Sequence, residues 1–232
     1  MKQSSNALWL RIIMDIVRAF LHMKVRGKDN IIPGESAVYV CNHGATIGPV
    51  AASIYLPVPF RPWIHDAMLD RELAAKAIEK TREHQYKYLS KRLKNKIIWW
   101  ITGPVVAGMK SFRPVSVSRT NPLAIGRTLL ESVEALQEGD NILLFPDNPE
   151  KHYDDNSFRD ISTGFTALGS AWAKKTGKSL RFYPVFADKK RRTFTIGAPT
   201  SFDPQADERQ ERFRVAEYLL NSLIEMSEGR QA

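Results

Sequence analysis

His43 is the residue of this chain best placed to do chemistry. It follows Asn42 at the end of a short apolar run, Ala37-Val38-Tyr39-Val40-Cys41, and precedes Gly44-Ala45-Thr46-Ile47-Gly48-Pro49. An imidazole at the mouth of a buried strand suits acid/base work, because its proton affinity lies near neutral pH. Arg119 closes a second β-rich run, Val115-Ser116-Val117-Ser118, and offers a fixed cation. A third run, Asn141 to Phe145, leads through Pro146 into the polar loop Asp147-Asn148-Pro149-Glu150. Ligands of α/β sheets gather at the carboxyl ends of strands. A base, a guanidinium and a polar loop delivered there suit a phosphate-bearing substrate whose hydroxyl needs activating.

Other groupings point less far. Cys41 and His43 stand two apart and could face one side, which makes a Cys-His nucleophile pair conceivable. A small cysteine buried in a strand is the commoner case. His65 and Asp66 are adjacent, and on a strand they point to opposite faces, so they do not form a dyad. His152 with Asp154 and Asp155 reads as a solvated loop rather than a metal site, since no second cluster supports an ion. The glycines are scattered without a dinucleotide or phosphate-loop spacing. Cys41 is the single cysteine, so there is no internal disulfide framework and no cysteine zinc site, and a reducing, cytosolic location fits.

The elements that must position these residues follow from the patterning. The 232 residues carry a formal charge of +9, a balance that attracts phosphates of lipid, nucleic acid or small substrates. A nucleic-acid binder would also show a basic stripe with base-stacking aromatics or a recognition motif, and the sequence offers neither. Residues 5–23 predict an amphipathic helix with a narrow polar stripe of Arg11, Asp15, Arg18 and His22. It reads equally as a core helix or as one lying in a membrane surface. It is not a membrane span, because charges interrupt it, and it carries no secretory cleavage site.

Residues 24–30 read as a polar link, 37–41 as a buried strand, 48–56 as a helix and 60–64 as a strand. Residues 70–96 predict a strongly basic helix with Leu73, Ala77, Ile78, Leu89 and Leu93 inward. Trp99-Trp100 follows, and tryptophans favour lipid headgroups. The apolar run 97–109 is too short to span a bilayer and is broken by Gly103-Pro104. Then come a strand at 115–118 and a helix capped by Asn121, with Pro122 in its first turn and apolar Ile125, Leu129, Leu130, Val133 and Leu136, stopped by Gly139. Residues 141–145 predict a strand, 163–175 a helix, 180–186 and 193–196 strands, and 209–228 a terminal helix. This alternation argues for one layered α/β domain over 24–232, with a mainly parallel sheet flanked by helices and the amphipathic helix 1–23 ahead of it.

The order of segments resembles the PlsC-like glycerolipid acyltransferases, the lysophosphatidic acid acyltransferase group. The matching stretches are "VRGKDNIIPGESAVYVCNH" (25–43), "GP" (48–49), "VSVSR" (115–119), "LLFPDNPE" (143–150), "ISTGF" (161–165), "FYPV" (182–185) and "IGAP" (196–199). The resemblance implies transfer of a fatty acyl group from acyl-coenzyme A or acyl carrier protein to the hydroxyl of a lysophospholipid-type acceptor. It implies no metal or prosthetic group, and attachment to the cytoplasmic face of a membrane through residues 1–23 and the basic segment 87–100. By position, His43 matches the general base of the family's His-x-x-x-x-Asp-Pro motif, and Arg119 matches its phosphate-binding arginine. Asn42, Phe145, Pro146, Asn148, Thr163 and Gly164 match substrate-binding positions, and Tyr183-Pro184-Val185 matches the late core strand. Gly48 stands where the motif has aspartate, with Pro49 behind it, and Asp147-Asn148 stands where the family has Glu-Gly. Two readings follow. Another carboxylate reaches His43, Asp147 or Asp66, with Asp147 preferred because its loop should face the same pocket. Or the chain binds lipid on the same fold without turnover.

Overall fold

The computed structural model describes residues 18, 21–44, 46–81, 90–118, 122–146 and 163–230. In chain order they form β1 (Lys24–Arg26), a 3-10 turn (Lys28–Asn30), β2 (Ala37–Cys41), α1 (Ile47–Tyr55), β3 (Phe60–His65), α2 (Asp66–Leu69), α3 (Arg71–Thr81), α4 (Lys91–Ser111) and β4 (Val115–Val117). There follow α5 (Pro122–Gln137), β5 (Asn141–Leu144), a 3-10 turn (Thr163–Thr166), α6 (Ala167–Thr176), β6 (Leu180–Asp188), β7 (Thr193–Ile196), β8 (Thr200–Phe202) and α7 (Glu208–Ser227). Two compact units divide the chain, one of Met1–Phe60 with Leu129–Ala232, the other of Arg61–Thr128.

The first unit has the mainly parallel sheet and flanking helices that the alternation predicts. β2 pairs in parallel with β5 on one side and β6 on the other, and β1 pairs in parallel with β7. β7 and β8 run antiparallel to β6, while α1, α6 and α7 pack against β6. Every residue of β2 is buried, which is why it reads as a continuous apolar run rather than an alternation. Tyr39 of β2 stacks on Tyr183 of β6 with ring centroids 4.9 Å apart. Burial and the neighbouring Tyr183 push the Tyr39 phenol well above its ordinary range, so it stays neutral. Pro184 sits mid-strand in β6, where a missing N–H normally breaks a ladder. Its carbonyl accepts from Gly197 N at 2.8 Å, so the donor-less nitrogen faces the link between β7 and β8 rather than β2.

Two strands are additions to the sequence reading. The expected polar link contains β1, and β8 was not anticipated; both are three residues long. Residues 1–17, 19 and 20 of the expected N-terminal helix lie outside the described residues. Arg18 is helical, but Leu21 to Met23 are not, so the helix stops short of residue 23. Tyr55 ties this segment to the end of α1: its hydroxyl donates to Leu21 O and accepts from Met23 N.

In the second unit β3 and β4 pair in parallel and α3 packs on α4. Gly103-Pro104 does not break α4, which runs through it. A proline removes one helical donor and clashes with the preceding turn, a local cost that tertiary packing can carry. Leu73 and Leu93, expected inward, are about half exposed at 48% each, and Ala74 of α3 is fully buried. On α5, Ile125 and Leu130 are exposed, and Val133, Ala135 and Leu136 are buried. Leu89 and Asn121 lie outside the described residues. Among the described residues no helix is long and apolar enough to cross a membrane.

Candidate active site

Because β2 and β5 are parallel and in register with Val40 opposite Leu144, their carboxyl ends open side by side. Asn42 and His43 leave one, Phe145 and Pro146 the other. The His43 ring is half-buried and meets the Phe145 ring edge-on, with centroids 5.7 Å apart and planes at 74°. A phenyl ring in that T-shaped arrangement restricts how an imidazole can turn.

Asn42 is buried, and its amide is occupied. Nδ2 donates to Ala187 O at 3.2 Å and Oδ1 accepts from Ala187 N at 2.8 Å. The side chain thereby continues the β2–β6 ladder past the end of β2, and fixes the backbone from which His43 projects. Cys41 is fully buried, and its Sγ lies against the Asn42 carbonyl at 3.4 Å, the setting of a small core residue rather than a nucleophile.

The chain then turns sharply into α1. Thr46 N and Ile47 N both donate to Gly44 O, and Gly48 N donates to His43 O at 3.1 Å. Gly48 therefore sits directly over the end of β2. A Cβ there would lie 1.8 Å from Asn42 O and 2.9 Å from the Asn42 carbonyl carbon. The glycine is a requirement of this close backbone approach, not merely a missing side chain. Sequence alone registers only an absent carboxylate at this position.

The other expected residues divide as follows. Arg119, Asp147 and Asn148 lie outside the described residues, as do His152, Asp154 and Asp155. Thr163 and Gly164 are exposed at the start of the second 3-10 turn, where Thr163 O accepts from Thr166 Oγ1 at 2.8 Å. Thr163 lines an open cleft of about 1030 Å³ with Thr166 and the first turns of α7. His65 and Asp66 do not point apart as expected. β3 ends at His65 and α2 begins at Asp66, so the strand geometry stops between them; Nδ1 and Oδ1 are 3.0 Å apart. Both accept from Ala67 N, at 3.1 and 2.7 Å. They share one donor and cap a helix turn, which occupies the Asp66 carboxylate locally. Among the described residues no group of three or more His, Cys, Asp or Glu could hold a metal ion.

No family model matches the chain, and no curated protein does. Among solved structures, the chain is similar to the crystal structure of the 1-acyl-sn-glycerophosphate (LPA) acyltransferase, PlsC, from Thermotoga maritima. The TM-score is 0.54 at 16% sequence identity, over 98% of this chain and 83% of that chain. At that identity the likeness is one of fold.

Proposed function

We propose that the protein is an O-acyltransferase that moves a fatty acyl group from a thioester to the hydroxyl of a lysophospholipid-type acceptor. The donor is acyl-coenzyme A or acyl carrier protein. The meeting of His43 and Phe145 at the shared carboxyl end of β2 and β5, on a fold common with an acyltransferase, carries this reading.

His43 takes the proton of the acceptor hydroxyl as that oxygen attacks the thioester carbonyl. The tetrahedral intermediate collapses, the carbon–sulfur bond breaks, and the proton passes from the imidazolium to the departing thiolate. An ester and a free thiol result. Arg119 binds the acceptor phosphate, Asp147 supports the His43 imidazole, and Asn148, Pro146, Thr163 and Gly164 shape the acceptor side of the pocket. No metal or prosthetic group is called for. The protein works as a peripheral enzyme on the cytoplasmic face of a membrane.

A second reading, a lipid-binding protein without turnover, is favoured by one observation: the backbone at Gly48 excludes the carboxylate that the resembling family has there. Turnover with lysophosphatidic acid and acyl-coenzyme A, or acyl carrier protein as donor, separates the two, with His43→Ala as the control. Product well above that of the His43→Ala protein supports transfer. Equal product from both eliminates the enzyme reading for that acceptor, and retained binding of the lysolipid then supports the second.

A further inference from the structure

α4 buries one narrow face and exposes the opposite one. Ile98, Thr102 and Val106 are buried at 3%, 0% and 6% exposure. At 100° per residue, the positions facing away from them are Leu93, Ile97, Trp100, Pro104 and Ala107, all apolar. Trp100 is 77% exposed and Leu93 48%, with Ile101 beside them at 47%. The stripe runs from residue 93 to residue 107, about 21 Å at 1.5 Å per residue. Soluble surfaces carry single exposed apolar residues, but a continuous stripe of this kind marks an interaction site.

One border is cationic. Arg92, Lys96 and Lys110 lie along one and the same edge of the stripe and are exposed, and α4 contains no Asp or Glu. Glu79 of α3 lies 3.1 Å from Lys94. Arg71 of α3 lies over the Trp99 ring at 3.9 Å and donates to Trp99 O at 2.9 Å. That contact fixes the helix from its flank; on the outward face Leu93, Trp100, Pro104 and Ala107 are exposed and Ile97 is half-buried.

We infer that the α4 stripe, Leu93 to Ala107 with Trp100 at its centre, lies on an anionic lipid bilayer. Apolar side chains enter the interface, Trp100 sits at headgroup level, and Arg92, Lys96 and Lys110 meet lipid phosphates. The cationic edge favours an anionic surface over a second copy paired through the same helix, because α4 brings no carboxylate to meet it. The inference rests on the peripheral-membrane part of the proposed function and not on turnover at His43.

Co-sedimentation of the full chain with phosphatidylcholine vesicles, with and without phosphatidylglycerol, tests it. The wild-type protein binds the anionic vesicles, less so as salt rises. Leu93→Ser with Trp100→Ser weakens that binding by at least about tenfold while leaving the circular dichroism spectrum and Tm in place. Arg92→Glu with Lys96→Glu removes the preference for phosphatidylglycerol. Undiminished binding by the Leu93→Ser, Trp100→Ser protein overturns the inference. So does a wild-type protein that ignores vesicles, or one that forms dimers which those substitutions dissociate. Transfer to a soluble short-chain acceptor is unchanged in both variants, so failure of the membrane contact and failure of the acyltransferase reading give different results.

Discussion

Replacing Gly48 by aspartate, the residue that the resembling family has there, is expected to destabilise the protein without raising its activity. The added Cβ would stand 1.8 Å from Asn42 O and 3.1 Å from His43 O, and both neighbours are backbone, not yielding side-chain ends. α1 must move by about 1.6 Å to open 1.8 Å to the 3.4 Å of ordinary contact. Overpacking that side chains can absorb costs about 1–3 kcal/mol. Here the shift also breaks the Gly48 N–H bond to His43 O, adding about 1 kcal/mol. A helix gains about 1 kcal/mol when glycine becomes alanine, so the steric cost outweighs the propensity gain. A net loss of about 1–3 kcal/mol lowers Tm by roughly 2–12 °C for a chain of this size. Because the clash is at Cβ, Gly48→Ala loses nearly as much as Gly48→Asp. Thermal unfolding of both variants, with acyl-transfer rates below Tm, decides the matter. A carboxylate placed behind a catalytic imidazole is worth about 10⁴ in rate in the serine-protease triad. A Gly48→Asp protein with wild-type Tm and a large gain in turnover would refute the steric reasoning outright.

Asn42→Ala leaves the N–H and C=O of buried Ala187 without their side-chain partners, and should cost about 2–4 kcal/mol in urea unfolding. Phe145→Ala frees the His43 ring and should lower kcat about tenfold or more with KM little changed, whereas Phe145→Tyr keeps the contact and most of the rate. Asp147→Asn should reduce turnover as far as His43→Ala does, and a mild effect would remove Asp147 from the supporting role. The Arg214 guanidinium beside Glu211, with Asp203 N, holds that carboxyl below its usual range. This contribution is fully present above about pH 4.5 and fades as pH falls towards the lower folded value, so Glu211→Gln should flatten the acid limb of the stability curve.

Much of the fold was legible in the residues, for reasons that also mark where it was not. β2 and β6 are buried on both faces, so their apolar runs carry the strand signal without alternation. α1 and α7 begin and end within a residue of the expected bounds because apolar spacing and neighbouring turn residues agree. β1 and β8 are too short for any periodicity, and their pairing depends on β7 and β6, far along the chain. Leu73 and Leu93 were placed inward on the assumption that apolar residues face a core, and their exposure reverses it. On α4 the same error came from reading Gly103-Pro104 as a break, which concealed one continuous apolar face.

At the site, the strand ends of His43 and Phe145 were readable, but the means of holding them were not. The Asn42 amide meets a backbone 145 residues away, and no local pattern announces that pairing. Gly48 shows the sharper difference between the two levels. A motif comparison scores it as a carboxylate lost from an otherwise unchanged frame. The geometry instead has α1 pressed onto the end of β2, with Gly48 N bonded to His43 O, in an arrangement that exists only because the side chain is absent. The substitution and the backbone path are therefore one change. The His43 backbone is fixed by the Asn42 clamp and the Gly48 hydrogen bond, and its ring by Phe145, so any carboxylate acting on the imidazole must arrive from another loop, not from position 48.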